Sequence, residues 1–323
     1  MKEEIEGYGK LRFFFRHELD LIPFTKTDEC KKFRLPSSVP QIMSSSEFLE
    51  FYESRENQIR LQNKNNQCIL TKTGTQIQSI EDFEFIKMLG QGAYGTVVLS
   101  LRKVNKKPYA IKIIEKNKVI KSNILTKIVQ EKQILNKVNN PFLVKLDFCF
   151  HSHTRIFMVM KYLDGGDLRQ ILNLKGKFDE KTAKFYAAQV VLGLEGLHKE
   201  NIIWRDMKPD NIVFNKKGYI KLIDFGCSKV LDEHTTKLDD IEGTPSYFSP
   251  EMLKMTGYDI STDYWSFGIL LYELLFDTTP FYDEVDGWKG YGCKMYKNIT
   301  EGDFTFPKDI PITESCKDLI TSF

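Results

Sequence analysis

Trp204-Arg205-Asp206-Met207-Lys208-Pro209-Asp210-Asn211 is a polar turn set between two apolar runs, Ile202-Ile203 before it and Ile212-Val213-Phe214 after it. Ionisable and amide groups are costly inside a protein unless they have something to bind. A second polar site, Asp224-Phe225-Gly226, follows the apolar segment 219–223. Two hairpin-like strands would set Asp206, Asn211 and Asp224 at one edge of a small sheet. Two carboxylates and an amide oxygen gathered there suit a hard cation such as Mg²⁺, which takes oxygen ligands and shares them with phosphate.

Upstream, a strand-like segment from Phe83 to Leu89 runs into Gly90-Gln91-Gly92-Ala93-Tyr94-Gly95-Thr96-Val97. Glycines at this spacing let backbone N–H groups approach phosphate oxygens where a Cβ would clash. Alone, the pattern fits a dinucleotide-binding fold equally well. Its sequel separates the two, because a second strand, 97–101, follows instead of a helix. The next strand, 109–114, carries Lys112 among apolar neighbours, where an unpaired ammonium would be costly. In the helix predicted over 124–138, Ile124, Ile128, Glu131, Leu135 and Val138 fall on one face. Glu131 within that apolar stripe is assigned to Lys112 rather than to its helical neighbours Lys127 and Lys132.

In order and spacing these segments resemble the catalytic domain of eukaryotic protein kinases, whose pattern is H-R-D-x-x-x-x-N followed by D-F-G. Trp204 stands where that family usually has His or Tyr, and it is read as a packing residue. Lys208, two residues after Asp206, is the serine/threonine form. The resemblance implies an α+β, bilobal fold. Its N-lobe (83–163) holds a five-stranded sheet with the helix 124–138 packed on it, and its mainly helical C-lobe (164–323) is incomplete. Strands at 141–146 and 156–160 would complete that sheet, and Asp179 would cap a long helix reaching His198.

The resemblance also implies ATP and Mg²⁺ as cofactors and assigns roles residue by residue. Asp206 orients the substrate hydroxyl and accepts its proton, Lys208 neutralises the γ-phosphate, and Asn211 and Asp224 hold Mg²⁺. Lys112 bridges the α/β-phosphates and Glu131. ATP would further touch Leu89, Gly90, Gln91, Gly92, Ala93, Tyr94 and Gly95, and then Val97, Ala110 and Val213. Met160 reads as the gatekeeper, with the Lys161 carbonyl and Leu163 amide holding the adenine edge. Gly243-Thr244-Pro245-Ser246-Tyr247-Phe248-Ser249-Pro250-Glu251 resembles the family's G-T-P-x-Y-x-A-P-E, and Asp263 matches a buried aspartate that anchors the catalytic loop.

Within the family, Phe83-Glu84-Phe85-Ile86-Lys87, Asn140-Pro141-Phe142-Leu143-Val144 and Gly243-Thr244-Pro245 resemble the AGC group. Asp167, Asp210 and Glu273 match acidic positions that receive substrate arginines in relatives. The implied partners are therefore proteins with Arg or Lys upstream of a Ser or Thr. Asp240 occupies the position of a usually phosphorylated threonine. Lys127, Arg205 and Lys229 match the basic positions that would face it, so Asp240 is read as a weaker, built-in substitute for phosphate. Regulation through nearby Thr235 or Thr236 is the plainer alternative for this loop. A scaffold that binds ATP without efficient transfer is the alternative for the whole chain, although Lys112, Asp206 and Asp224 are all present.

The 323 residues suffice for such a domain of about 250 residues plus an appendage. A formal net charge of +2 points to no polyanionic partner, and nucleic acid is not expected. No apolar run approaches the roughly twenty residues of a membrane span. The polar start Met1-Lys2-Glu3-Glu4 is unlike a secretory signal, and the six cysteines show no paired spacing. A reduced, cytoplasmic or nuclear location is expected. Residues 1–80 read as an accessory segment, with a strand at Leu11–Phe15, a helix opened by Ser46 and a linker at 63–67. Their Pro-containing loop followed by Ser-Ser-x-Phe-Leu-x-Phe resembles the end of a lipid-binding phox-homology domain, a less favoured reading that would add a lipid contact. The chain stops inside a segment resembling a C-lobe helix, so an incomplete C-lobe is expected, with Glu251 lacking its usual arginine.

Overall fold

The computed structural model describes residues 79–92, 95–121, 124–231, 237–282 and 293–323. The strand, helix, linker and lipid-binding readings placed on residues 1–78 lie outside the described residues, as do Thr235 and Thr236. Two compact units result: residues 79–137 with 144–163, and residues 138–143 with 164–323.

The first unit is a sheet with two helices. Its elements are β1 (Phe83–Gln91), β2 (Gly95–Arg102), β3 (Pro108–Glu115), α1 (Lys116–Lys121), α2 (Leu125–Lys137), β4 (Leu146–His151) and β5 (Arg155–Lys161). The strands pair antiparallel in the order β1-β2-β3-β5-β4. Side chains alternate across a strand, so the two faces of the sheet differ. On one face Val98, Ile111 and Val159 pack with Phe83, Tyr109, Phe150 and Phe157. Each such fully buried side chain contributes roughly 1.5–3 kcal/mol of transfer free energy. The other face carries Val97, Ala110 and Lys112, which are only partly buried. Farther along it, Ile114 and Met158 pack with Ile124 and with Ile128 of α2.

One predicted strand is displaced. The apolar run 141–146 is not the fourth strand, which begins at Leu146. Its first part, 141–143, belongs to the second unit, where the Phe142 carbonyl accepts the Leu222 N–H at 2.7 Å and Lys221 Nζ donates to the carbonyls of Pro141 and Leu143. Asn140 fixes its approach, its side chain accepting from the Phe142 N–H and donating to the Leu192 carbonyl.

The second unit is mainly helical. It contains α3 (Leu168–Lys175), α4 (Glu180–His198), β6 (Ile202–Ile203), β7 (Ile212–Phe214), β8 (Ile220–Leu222), β9 (Lys229–Val230), α5 (Pro250–Lys254), α6 (Ser261–Phe276), α7 (Lys294–Glu301) and α8 (Glu314–Thr321). The Asp179 carboxylate accepts the Thr182 N–H at 2.7 Å, the cap expected for α4 and worth about 1 kcal/mol. α6 is apolar nearly all round and correspondingly buried. β7 pairs with β8 and β6 with β9, so the polar turn 204–211 joins two small sheets. Among the described residues no helix is long and apolar enough to cross a membrane.

Candidate active site

In the sheet unit, Lys112 lies in register between Val97 of β2 and Met158 of β5, and Ala110 pairs with Met160. Lys112 Nζ is 2.7 Å from Glu131 Oε1, with the two side chains 18% and 5% exposed. Period two on β3 and the helical period on α2 thus bring together residues nineteen apart. A buried carboxylate needs such a partner, because leaving it alone costs several kcal/mol. Leu89, Gly90, Gln91 and Gly92 are exposed at the end of β1 and just past it, whereas Ala93 and Tyr94 lie outside the described residues. Gly95 has a reason for being glycine besides phosphate approach. A Cβ there would sit 2.2 Å from the Ile113 carbonyl oxygen, so strand pairing itself demands its absence. Lys161 is exposed at the end of β5, and Leu163 is partly buried just beyond it.

In the helical unit, the polar turn hangs on one carboxylate. Asp263, buried in the first turn of α6, accepts the Trp204 N–H at 2.8 Å on Oδ2 and the Arg205 N–H at 2.9 Å on Oδ1. His198 Nε2, from the end of α4, lies 2.8 Å from the same Oδ2. The turn is held in a conformation it would not adopt alone, since Arg205 (φ +67°) and Asp224 (φ +59°) are both left-handed. Such residues cost on the order of 1 kcal/mol or more and persist where their surroundings over-determine them. Trp204 does more than pack. Its ring is fully buried and its indole N–H donates to the Asp224 carbonyl at 3.0 Å, tying the two polar loops together.

Asp206 is gripped from several sides. Asn211 Nδ2 donates to its carbonyl and to its Oδ2, both at 2.8 Å. Lys208 Nζ lies 2.9 Å from Oδ2, and the Thr244 hydroxyl donates to Oδ1 at 2.7 Å while accepting from Lys208 Nζ. Thr244 is brought there by Gly243, whose φ is +116° and whose absent Cβ would stand 2.2 Å from the Arg205 carbonyl oxygen. With Asn211 Nδ2 committed to Asp206, its amide oxygen is the atom turned to other work. The exposed Asp224 carboxylate accepts the Gly226 N–H at 3.1 Å, and Asp224 follows Ile223, whose N–H donates to the Asn211 carbonyl. Two hard oxygen donors therefore stand close in the chain's fold, a set that fits Mg²⁺. Val213, on β7, is partly buried. Cys227 is no nucleophile. Burial, then the carboxylates of Asp206, Glu242 and Asp224, push its thiol up to about 12.

Most of the remaining expected residues form two clusters in the same unit. Arg205 Nη1 is 2.8 Å from Asp240 Oδ1 and 2.7 Å from the Tyr258 hydroxyl, which itself donates to Asp240 at 3.0 Å; Arg205 Nε donates to the Cys227 carbonyl at 2.6 Å. Partial burial opposes ionisation of Asp240, but the Arg205 guanidinium and the hydrogen bonds from Arg205 and Tyr258 outweigh it and hold the carboxyl below its ordinary value. Lys229 sits on β9 opposite Ile203, and among the described residues it forms no ion pair with Asp240. Lys127 lies on α2 of the other unit. In the second cluster, Glu273 is buried in α6, Asp210 is exposed and Asp167 caps α3 through the Gln170 N–H at 2.8 Å.

Thr244, Tyr258 and Arg169 were not singled out from the sequence. Thr244 was within reach, inside the quoted Gly-Thr-Pro. Tyr258 and Arg169 carry no local signal.

A family model described as the protein kinase domain matches residues 83–323. The chain is 37% identical over 242 residues to the serine/threonine-protein kinase YPK1 of Saccharomyces cerevisiae, covering 75% of this chain and 34% of that protein. It is 40% identical over 250 residues to Rho-associated protein kinase 1 of Homo sapiens, covering 75% and 18%. To cAMP-dependent protein kinase type 3 of Saccharomyces cerevisiae it is 38% identical over 229 residues, covering 71% and 55%. The chain thus spans between 18% and 55% of these curated relatives.

Proposed function

We propose, since this chain belongs to the protein kinase domain family, that it transfers the γ-phosphate of ATP to serine or threonine hydroxyls of proteins in basic sequence contexts. The observation that carries the reading is the grip on Asp206 by Asn211, Lys208 and Thr244. A carboxylate so fixed can orient a hydroxyl and take its proton without first reorganising. Lys208, 26% exposed, stands beside it to meet phosphate charge. Lys112, steadied by Glu131, would meet the α/β-phosphates. Mg²⁺, when bound, neutralises charge on the phosphates, and Asn211 and Asp224 would hold it. The preference for basic contexts rests on the cluster of Asp167, Asp210 and Glu273, because carboxylates are fork partners for guanidinium.

Asp240 extends the reading to activation. Its carboxylate on Arg205 and Tyr258 supports a segment ordered without phosphorylation, through a weaker charge than phosphate supplies. The direct test is transfer of radiolabelled phosphate from ATP to an Arg-containing serine peptide. Wild-type protein should label the peptide, and Asp206→Asn should lower kcat by about 10²–10⁴-fold. Asp224→Asn should abolish labelling. Undiminished labelling by Asp224→Asn removes the reading, and ATP binding without transfer by the wild type marks a scaffold.

A further inference from the structure

The acidic cluster already holds a guanidinium, and it is the chain's own. Arg169, at the second position of α3, directs Nη2 to Glu273 Oε1 at 2.7 Å and Nε toward Asp210 Oδ2 at 3.5 Å. The Tyr247 hydroxyl donates to the other oxygen of Glu273, so both carboxylate oxygens are engaged. Glu273 is 5% exposed, Arg169 32% and Asp210 53%. Burial disfavours the charge on Arg169, but Glu273, Tyr247 and Asp210 together outweigh it.

We infer that Arg169 is a specificity-determining residue that fills the Glu273 site from within, leaving Asp210 as the acid open to a substrate. This rests on the reading of the acidic cluster as a receptor for substrate arginines. Two features of the cluster carry it. The buried acid already holds a guanidinium through one charge-assisted hydrogen bond at 2.7 Å, so the site's preference for that group is visible in the structure itself. A second guanidinium brought to Glu273 would displace Arg169 or sit against its like charge. Asp167 is engaged in capping α3 through the Gln170 N–H, while Asp210 shares Arg169 only at the longer distance and keeps about half its surface in solvent. Substrates therefore gain from one upstream arginine and not from two. A purely structural ion pair would leave that choice untouched.

The experiment measures kcat/KM for serine peptides with no arginine upstream, with one at each of several positions, and with pairs. In wild-type protein the first arginine should help, while the best pair should exceed the best single by less than about threefold; in Arg169→Leu that last step should grow to about tenfold, the size of one charge-assisted contact. Arg169→Gln serves as the second variant, with the same expectation, and thermal melting reports whether each variant is folded. A wild-type protein that gains about tenfold from the second arginine overturns the proposal without any variant. So does a folded Arg169→Leu whose pair-to-single ratio matches the wild type. A flat response to every arginine, in all proteins, removes the receptor reading itself and the proposal with it. Response to the first arginine but no change on substitution removes the proposal alone.

Discussion

Two clusters of the helical unit are made of the same kinds of side chain, arginine, tyrosine and acid, in opposite arrangement. Around Arg205 the arginine is buried, at 3% exposed, and its acid Asp240 is 49% exposed. Around Glu273 the acid is buried and Arg169 is partly in solvent. The two buried members differ in one chemical respect. A carboxylate left alone can bind a proton and become neutral, whereas a guanidinium stays charged at any pH a protein survives. Arg205 accordingly has neutral acceptors besides Asp240, the Cys227 carbonyl and the Tyr258 hydroxyl. Glu273 makes do with Arg169 and a single tyrosine. The first cluster is a fixed socket for an anion; the second is a fixed socket for a cation.

The most disruptive test is removal of the fixed cation. Arg205→Leu leaves the Cys227 carbonyl and Tyr258 hydroxyl without their donor, and should cost about 3–4 kcal/mol in denaturant unfolding. Arg169→Leu should cost less, about 2 kcal/mol, because Glu273 keeps the Tyr247 hydroxyl and Arg169 is partly in solvent. Equal costs for the two variants would break the comparison.

The smallest effect belongs to Asp240→Asn. An exposed acid on a pair contributes within about 1 kcal/mol, so unfolding should barely register the change, while phosphatase-insensitive activity should fall. The sign of its pH dependence follows from a carboxyl held below its ordinary value in the folded state. Its contribution is present at and above neutrality and is lost as pH drops through the folded-state value. The wild-type advantage over Asp240→Asn should thus be level from pH 8 to 5 and narrow only below about 4. An advantage that disappears near pH 6 would show that another group carries the effect.

The parts of this molecule that could be read from sequence are those where a residue type conflicts with its local pattern. Lys112 in an apolar strand and Glu131 in an apolar helical stripe announce one another, and they meet at 2.7 Å. The long helix after Asp179 is legible for a related reason, since cap and period agree. Where several structures serve the same pattern, the reading slips. The apolar run 141–146 could pair as a strand or dock its carbonyls on Lys221, and only the tertiary partner decides. At Gly95 an added Cβ would meet the Ile113 carbonyl, a demand of strand pairing that the glycine pattern alone does not disclose. Arg169 lies 104 residues from Glu273, and Tyr258 lies 53 from Arg205; no local pattern marks either.

Trp204 has a last implication. An imidazole at that place would gain and lose a proton near neutrality, altering its charge and the atom from which it donates. An indole has one N–H and keeps it at every pH. The strap from position 204 to the Asp224 carbonyl is therefore blind to acidification. Acid conditions can act on this protein through its carboxyls, but they leave the donor of this bond unchanged.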